Sequence, residues 1–218
     1  MMIKRVIAEE EPVILALVET KMNKGEVIEK PPGYEIERVD RDEDGGGVMM
    51  IFKRSLIKIL VATAEYKLHQ AEMLWMKLNN GETKLKIGVI YMPQESRTSL
   101  EKLKEIYQII EDEIIDAQQK EDSILILGDL NCKVGEIIKN NSAEITKGGR
   151  LLLKLVKRYR LKIVNAEDCC EGLWTRVEGI QKSVLDYVIV FEKDTKLVNR
   201  MKIDTERDIT PYFVERNE

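Results

Sequence analysis

The segment that most constrains the fold is residues 124–134, where a short apolar run is followed at once by polar residues. Residues 124–127 are all apolar, which is typical of a strand buried on both faces. Gly128 ends this run, and Asp129 and Asn131 follow where the strand leaves its sheet. Because side chains alternate along an extended backbone, these two point to the same side. The pattern predicts either an Asx turn that closes a strand or a site where a carboxylate and a carboxamide act together beside a phosphate.

Length and composition favour a single globular domain, and we expect residues 1–218 to form it. The formal net charge of −4 gives no general attraction to a polyanion, so binding of nucleic acid requires a local basic patch or bound cations. Three cysteines and a single histidine fit neither a disulfide framework nor a zinc site, which favours an intracellular, reducing compartment such as the nucleus or cytoplasm. The longest apolar run near the start, Val13–Val18, is too short to span a membrane, and we expect no membrane partner.

Apolar and alternating patterns predict a series of strands with hairpin connections. The strands expected are Val13–Val18, Tyr34–Val39, Val48–Phe52, 56–63, 73–78, Lys84–Tyr91, 124–127, Lys162–Asn165, Leu173–Val177 and Val184–Phe191. Asn80-Gly81 predicts a tight turn between two of them. The three glycines at 45–47 lack the Lys-Ser/Thr of a phosphate-binding loop, so they predict a turn. The charged residues 204–218 predict no further core element.

Two stretches predict amphipathic helices. Thr98 and Glu101 have the spacing of a capping box, and an apolar stripe continues from there to Ala117. Gly148–Tyr159 is the second helix, and seven basic residues with no acidic one lie between positions 147 and 162. Its basic side is either a patch for DNA phosphates or the solvated outer face of a helix that covers a sheet; we favour the solvated face. Many strands and few helices predict an α+β sandwich and not a regular βαβ repeat.

Polar residues at the ends of other apolar runs add to Asp129 and Asn131. Glu19 follows Val13–Val18, and Tyr91 ends the strand before Pro93. Asp186 lies among apolar neighbours in an expected core strand, where an unpaired charge is costly. Asp186 therefore either has a hydrogen-bonding or cationic partner at a cavity or lies at an exposed edge.

Five segments in this order resemble the endonuclease/exonuclease/phosphatase superfamily, and most closely the apurinic-like endonuclease domain of LINE-type (non-LTR) retrotransposons. They are Leu-Val-Glu-Thr-Lys (17–21), Gly-Val-Ile-Tyr-Met-Pro (88–93), Gly-Asp-Leu-Asn (128–131), Leu-Trp-Thr-Arg (173–176) and Ser-Val-Leu-Asp-Tyr-Val (183–188). The glycine-rich start of the second helix and residues 163–165 also resemble these retrotransposon enzymes. The resemblance covers residues 13–212.

The resemblance implies a four-layered α/β/β/α sandwich, like that of deoxyribonuclease, with a cleft that cuts DNA with Mg²⁺ or Mn²⁺. Carried over to this chain, it makes Glu19 the metal ligand and Tyr91 a contact of the scissile phosphate. Asp129 orients or deprotonates the attacking water, and Asn131 holds the phosphate or that carboxylate. Asp186 orients a catalytic histidine. The position of Thr175 touches DNA beside the cut.

The chain also departs from this resemblance. The family's first strand carries an asparagine and its last strand a Ser-Asp-His signature, and neither is found here; the one histidine, His69, lies outside the family's catalytic segments. We therefore expect the first and last strands of the fold to be missing. The sheet edge that they leave should favour aggregation unless residues 1–12 replace a strand. Hydrolysis should be weak or absent. A catalytically inactive binding module and a phosphatase of the same superfamily remain open, as does the oligomeric state.

Overall fold

The computed structural model describes residues 2–41, 46–138, 143–178, 181–203 and 213–216. The helices are α1 (Met2–Glu10), α2 (Leu100–Gln119) and α3 (Lys147–Tyr159). The strands are β1 (Ile14–Val18), β2 (Tyr34–Val39), β3 (Val48–Lys53), β4 (Leu60–Leu68), β5 (Ala71–Asn79), β6 (Lys84–Tyr91), β7 (Ser123–Asp129), β8 (Leu161–Ile163), β9 (Cys170–Glu171), β10 (Arg176–Glu178), β11 (Gln181–Ser183), β12 (Asp186–Phe191), β13 (Val198–Lys202) and β14 (Phe213–Arg216). No helix in these ranges is long and apolar enough to cross a membrane.

The largest sheet has six strands in the order β4-β5-β6-β7-β12-β8. The turn predicted at Asn80-Gly81 joins β5 and β6 as an antiparallel hairpin. Helix α2 then crosses over so that β7 pairs parallel to β6, while β12 pairs antiparallel to both β7 and β8. The sheet is therefore mixed, with a single βαβ unit at its centre. Because β6 and β7 are parallel, their C-terminal ends lie at the same end of the sheet.

Helices α2 and α3 cover the outer face of this sheet. The apolar stripe of α2 is buried as the sequence predicts, from Leu103 to Ala117, and it shares one core with Leu152 and Leu155 of α3. The start of α2 differs from the prediction by one residue, because Ser99 and not Thr98 accepts the hydrogen bond from the Lys102 N–H. The basic residues of α3 lie on its exposed side.

Two three-stranded sheets, β1-β3-β2 and β14-β13-β9, cover the inner face of the large sheet. The first packs Met50 and Phe52 on Leu74 and Val89, and the second packs around Met201 on Val188 and Val190. Helix α1 covers the other side of β1-β3-β2 through Val6 and Ile7. The layers are helix, sheet, sheet and helix, which confirms the predicted α+β sandwich. Residues 2–10 are thus an outer helix and not a replacement strand.

Several predicted strand boundaries are wrong. Residues 54–59 form a 3₁₀ turn before β4, and the segment 173–177 forms only the start of the β10–β11 hairpin. The last long strand begins at Asp186 and not at Val184. Residues 213–216 form a strand paired with β13 that the sequence pattern did not predict, and the other residues from 204 to 218 lie outside the described ranges. In each case long-range pairing, which a local pattern does not encode, sets the boundary.

Candidate active site

A row of polar residues crosses one end of the large sheet. Tyr91 is paired with Asp129 across β6 and β7, and Asp129 is paired with Asp186 across β7 and β12. On the other side Tyr91 is paired with Glu72 of β5, which in turn is paired with Lys67 of β4. Residues paired in register point to the same face of a sheet, and here that face is the inner one. Strand pairing therefore brings together three of the residues that the sequence predicted separately.

Glu19 reaches this row from the second sheet. It follows β1 in a left-handed backbone conformation, with φ of 51°. The next two residues pair with the glycine stretch before β3: Thr20 N–H donates to Gly47 O (3.2 Å) and Lys21 N–H donates to Gly46 O (3.0 Å). This pairing turns the exposed Glu19 toward the end of β6, where its carboxylate hydrogen-bonds the Tyr91 hydroxyl.

The glycines at 46 and 47 are a turn, as predicted, but they also shape the site. Both have positive φ, 82° and 88°. A Cβ on Gly46 would lie 2.5 Å from the carboxylate of Glu72, and one on Gly47 would lie 2.4 Å from the Thr20 hydroxyl. Glycine is therefore required for the backbone to pass between the two carboxylate-bearing segments.

Gly128 is required by the close approach of β6. Its φ is 137°, and a Cβ at this position would lie 2.0 Å from the carbonyl oxygen of Ile90. Tertiary contact thus explains the glycine that precedes Asp129. The Met92 N–H donates to Asp129 O (2.8 Å), so the two parallel strands remain bonded at the point where their polar side chains emerge.

Asp129 and Asn131 form the Asx turn that the sequence predicted as one alternative, and their side chains also contact each other; a joint action beside a phosphate stays a prediction. The Asn131 N–H donates to Asp129 Oδ1 (2.8 Å), which closes an Asx turn, with Asn131 at φ of 44°. The Asn131 Nδ2 group donates to Asp129 Oδ2 (3.3 Å) and to Met92 O (2.8 Å). The carboxamide therefore holds the carboxylate of Asp129 in place at the C-terminal end of β7.

Thr175 fixes the start of β12. Its hydroxyl oxygen accepts from the N–H groups of Leu185 (2.9 Å) and Asp186 (3.2 Å). On the far side Asn165 Nδ2 donates to Asp186 O (3.1 Å). The predicted contact of Thr175 with DNA stays a prediction; what its geometry does is to position Asp186.

Burial and charge perturb the acids of the row. Burial, followed by the charge of Asp186, raises the pKa of Asp129 from 3.8 to about 7, against the lowering effect of the Asn131 N–H. Burial also raises the pKa of Tyr91 well above 10, and the charges of Glu19 and Asp129 add to it. A carboxylate with a pKa near neutrality can accept a proton from water at physiological pH, which is the behaviour of a general base.

The acids also suit a hard divalent cation. Carboxylate oxygens are the ligands that Mg²⁺ prefers, and a cation here offsets the repulsion that raises the pKa of Asp129. Within the described ranges no three acidic, histidine or cysteine side chains converge enough to enclose an ion. This is compatible with Mg²⁺, which commonly binds one or two carboxylates and takes its other ligands from water and substrate phosphate. Glu19, exposed at the cleft, would be the ligand that the sequence predicts for such an ion.

Glu72 and Arg176 are not among the residues that the sequence predicts as functional, and His69 lies outside the segments that it identifies as catalytic. Glu72 is buried and lies beside Tyr91 in the row. Arg176, in the Leu-Trp-Thr-Arg segment, lowers the pKa of Asp129 by its charge. His69 lies in the turn between β4 and β5, where it lines a cavity of about 490 Å³ together with Glu19 and Tyr91. The sequence signal for Glu72 was a charged residue at the start of an apolar run. Only the tertiary structure brings Arg176 and His69 near the row of polar residues.

Helix α3 is anchored to the loop that follows Tyr91. Glu95 accepts from the N–H groups of Lys147 (2.9 Å) and Gly148 (2.7 Å) and from the Thr146 hydroxyl. A Cβ on Gly149 would lie 1.9 Å from Lys133 O, so the glycine-rich start of the helix is a packing requirement. Glu95 thereby fixes the loop that borders the cleft.

Comparison with known proteins agrees with this architecture. A family profile described as the Endonuclease/Exonuclease/phosphatase family matches residues 2–204. No curated protein sequence matches the chain at a significant level.

Solved structures share the fold at low sequence identity. A 3′ phosphatase, NExo, from Neisseria, bound to product DNA hairpin, has a TM-score of 0.71 at 12% identity, covering 99% of this chain and 93% of its own. An AP endonuclease from Archaeoglobus fulgidus has a TM-score of 0.66 at 16% identity, with coverages of 99% and 93%. A mannosyl-6-phosphatase from Bacteroides thetaiotaomicron has a TM-score of 0.65 at 12% identity, with coverages of 99% and 89%. Since the profile spans nearly the whole sequence and the same fold recurs in these structures, the chain belongs to the endonuclease/exonuclease/phosphatase family.

Proposed function

We propose that this protein is a divalent-metal-dependent phosphodiesterase that cuts DNA, an endonuclease of LINE-type retrotransposon descent. The observation that carries the proposal is the registered row of Tyr91, Asp129 and Asp186, with Glu19 bonded to Tyr91 from the opposite sheet. Acids, an amide and a phenol thus lie close together at one end of the two sheets, a combination that suits the binding and hydrolysis of a phosphate ester. Nucleases of this family generally use divalent metals, and the Neisseria and Archaeoglobus structures support DNA as the substrate.

Each side chain has a task that follows from its contacts. The Tyr91 hydroxyl stays protonated at neutral pH, and it can donate to a phosphate oxygen once Glu19 turns from it to a metal ion. Asp129, held by Asn131, accepts a proton from the water that attacks phosphorus. Asp186 keeps the pKa of Asp129 high, and Thr175 keeps Asp186 in place. A bound Mg²⁺ or Mn²⁺ at Glu19 supplies charge neutralisation for the phosphate.

We propose that the activity is low. The departing alkoxide needs a proton, but the chain's single histidine hydrogen-bonds Glu105 (2.7 Å) on the β4 side of the cleft. Three strands, β5, β6 and β7, separate β4 from β12, which carries Asp186. Lack of one acid–base partner costs about 10² to 10⁴ in rate. The retrotransposon descent is supported by the Leu-Trp-Thr-Arg and Gly-Gly-Arg-Leu-Leu segments.

A phosphatase is the second candidate, because the Neisseria and Bacteroides structures with this fold are named as phosphatases. The two candidates share the catalytic row and differ in what lies beside it. A phosphomonoester needs one phosphate site, whereas a polynucleotide also needs contacts with neighbouring phosphates.

The test is a supercoiled-plasmid nicking assay with Mg²⁺, with Mn²⁺ and with EDTA, run beside assays on a 3′-phosphorylated oligonucleotide and on a sugar 6-phosphate. Weak nicking that needs metal and is lost in Asp129→Ala supports the proposal. Hydrolysis of a phosphomonoester without nicking replaces it by the phosphatase. Metal-dependent DNA binding with no hydrolysis of any substrate identifies a binding module that has lost the chemistry.

A further inference from the structure

The cavity beside Glu19 extends beyond the row of polar residues to which the chemistry is assigned. Glu19, Glu72 and Tyr91 line one side of it, so it adjoins the residues proposed to bind the metal ion and the scissile phosphate. Its volume of about 490 Å³ falls within the range of small-ligand sites, about 300–1,000 Å³. It lies on the β4–β5 side of the row, away from Asp129 and Asp186.

Cations surround this cavity although the chain as a whole is acidic. Lys21 and Arg41 line it from the β1 and β2 side, Lys67 from β4, and Arg97 from the loop after β6. Lys21 and Arg97 are exposed, so their side chains face solvent in the cleft. The cavity is lined by four basic side chains and only two carboxylates. Of these carboxylates, Glu72 is buried and Glu19 is hydrogen-bonded to Tyr91. The wall of the cavity therefore attracts anions.

The wall is also fixed in place. His69 and Gln70 form a two-residue turn between β4 and β5 with φ of 52° and 68°, a conformation that suits a tight hairpin. His69 Nε2 lies 2.7 Å from Glu105 Oε2, which ties this turn to helix α2. On the opposite wall the Lys21 and Arg41 N–H groups donate to Gly46 O and Met22 O. The backbone segments that carry these side chains are therefore in place before a ligand binds, and binding needs to order only the side chains.

We propose that this cavity is a subsite for a second phosphate of a polynucleotide strand, one residue along from the scissile phosphate, and that Lys21 and Arg97 bind it from opposite walls. The inference rests on the proposed function and narrows it, because a second-phosphate site selects a polynucleotide over a sugar phosphate. It also assigns phosphate binding to this cavity and leaves the basic face of α3 as a solvated surface.

The experiment measures binding of a fluorescein-labelled oligonucleotide by anisotropy, as a function of salt concentration. The test variant is Lys21→Asn with Arg97→Ser; asparagine suits the φ of 55° at position 21. The matched control is Lys154→Gln with Lys157→Gln, which removes the same charge from the exposed face of α3. Thermal melts of both variants establish that each is folded.

We expect the test variant to raise Kd by about tenfold or more and to reduce the slope of log K against log salt by about one to two, and the control to change neither. Equal weakening by both variants, or no weakening by the test variant, overturns the subsite. Displacement of the labelled strand by millimolar sugar 6-phosphate as readily as by unlabelled strand also overturns it.

Failure of the proposed function gives a different result. If the wild-type chain hydrolyses no substrate but the test variant alone loses DNA binding, the subsite stands and the catalysis does not. If the wild-type chain nicks plasmid and the test variant binds and nicks as the wild type does, the catalysis stands and the subsite does not. A wild-type chain that binds no DNA refutes both.

Discussion

Asp129 and Asp186 lie directly opposite each other on the antiparallel strands β7 and β12, with both side chains on the inner face of the sheet. Burial raises the pKa of Asp129, and the charge of Asp186 adds to it, so the two carboxyl groups resist simultaneous ionisation. The pair is therefore unfavourable for the isolated fold at neutral pH and favourable for a site that takes up a proton or faces a cation.

Replacement of Asp129 by asparagine should make stability less dependent on pH. Because folding raises the pKa of Asp129 from 3.8 to about 7, the folded chain keeps a proton that the unfolded chain releases between these values. Stability of the wild type therefore falls as pH rises from 4 to 7, by at most about 4 kcal/mol and by less where solvent screens the carboxylate.

The measurement is a series of thermal melts of wild type and Asp129→Asn between pH 4 and pH 8 in EDTA. The variant should gain relative to the wild type as the pH rises to 7, with no further change above that. A difference that stays constant over this range would show that the carboxyl of Asp129 is not perturbed.

Thr175→Val should reduce stability and hydrolysis together. Valine keeps the shape of the side chain but leaves the N–H groups of Leu185 and Asp186 without the oxygen they donate to, which costs about 1–3 kcal/mol. Thr175→Ser keeps the oxygen and serves as the control. The free energy of unfolding and the nicking rate should both decrease in the order wild type, Thr175→Ser, Thr175→Val. If Thr175→Val instead weakens DNA binding with no change in unfolding free energy, the residue contacts substrate and does not position Asp186.

Gly128→Ala should unfold or severely destabilise the chain. A methyl group at this position meets the Ile90 carbonyl oxygen at 2.0 Å, and φ is 137°. Gly25→Ala is the matched control: its φ is 92°, but no atom lies within 4 Å of the added carbon. We expect a loss of more than about 3 kcal/mol for Gly128→Ala and about 1 kcal/mol for Gly25→Ala by urea unfolding. Equal losses would mean that backbone conformation alone requires the glycine at 128.

Glu95→Ala should loosen the start of α3 and the loop beside the cleft. The substitution removes the acceptor of two backbone N–H groups and of the Thr146 hydroxyl, and with it a negative charge at the helix N-terminus. We expect a loss of about 1–2 kcal/mol in unfolding free energy and faster amide exchange at Lys147 and Gly148. Glu136→Ala, which removes an exposed acid before α3, should change neither quantity. Unaltered exchange in Glu95→Ala would contradict the capping role.

The sequence determined the repertoire of elements because periodicity reports which face of an element is buried. The hairpin at Asn80-Gly81 and both long helices follow from local patterns, and so do the polar residues that end apolar runs. Order along the chain, together with the resemblance, was enough to predict a sandwich and to identify Glu19, Tyr91, Asp129, Asn131, Asp186 and Thr175 as site candidates. The structure brings all six to one end of the two sheets, while their chemical roles stay predictions.

Only the tertiary structure decided how these residues meet. Local patterns carry no register, so they could not show that Glu72, Tyr91, Asp129 and Asp186 form one row, or that Thr175 holds the last of them. By sequence, Gly128 only ends an apolar run. In the fold, the close approach of the Ile90 carbonyl oxygen requires a glycine there. The cavity lined by His69 and four basic side chains forms because the turn between β4 and β5 lies at the same end of the sheet as the C-terminal ends of β6 and β7. Such long-range pairing depends on the packing of the whole sandwich, which no short segment encodes.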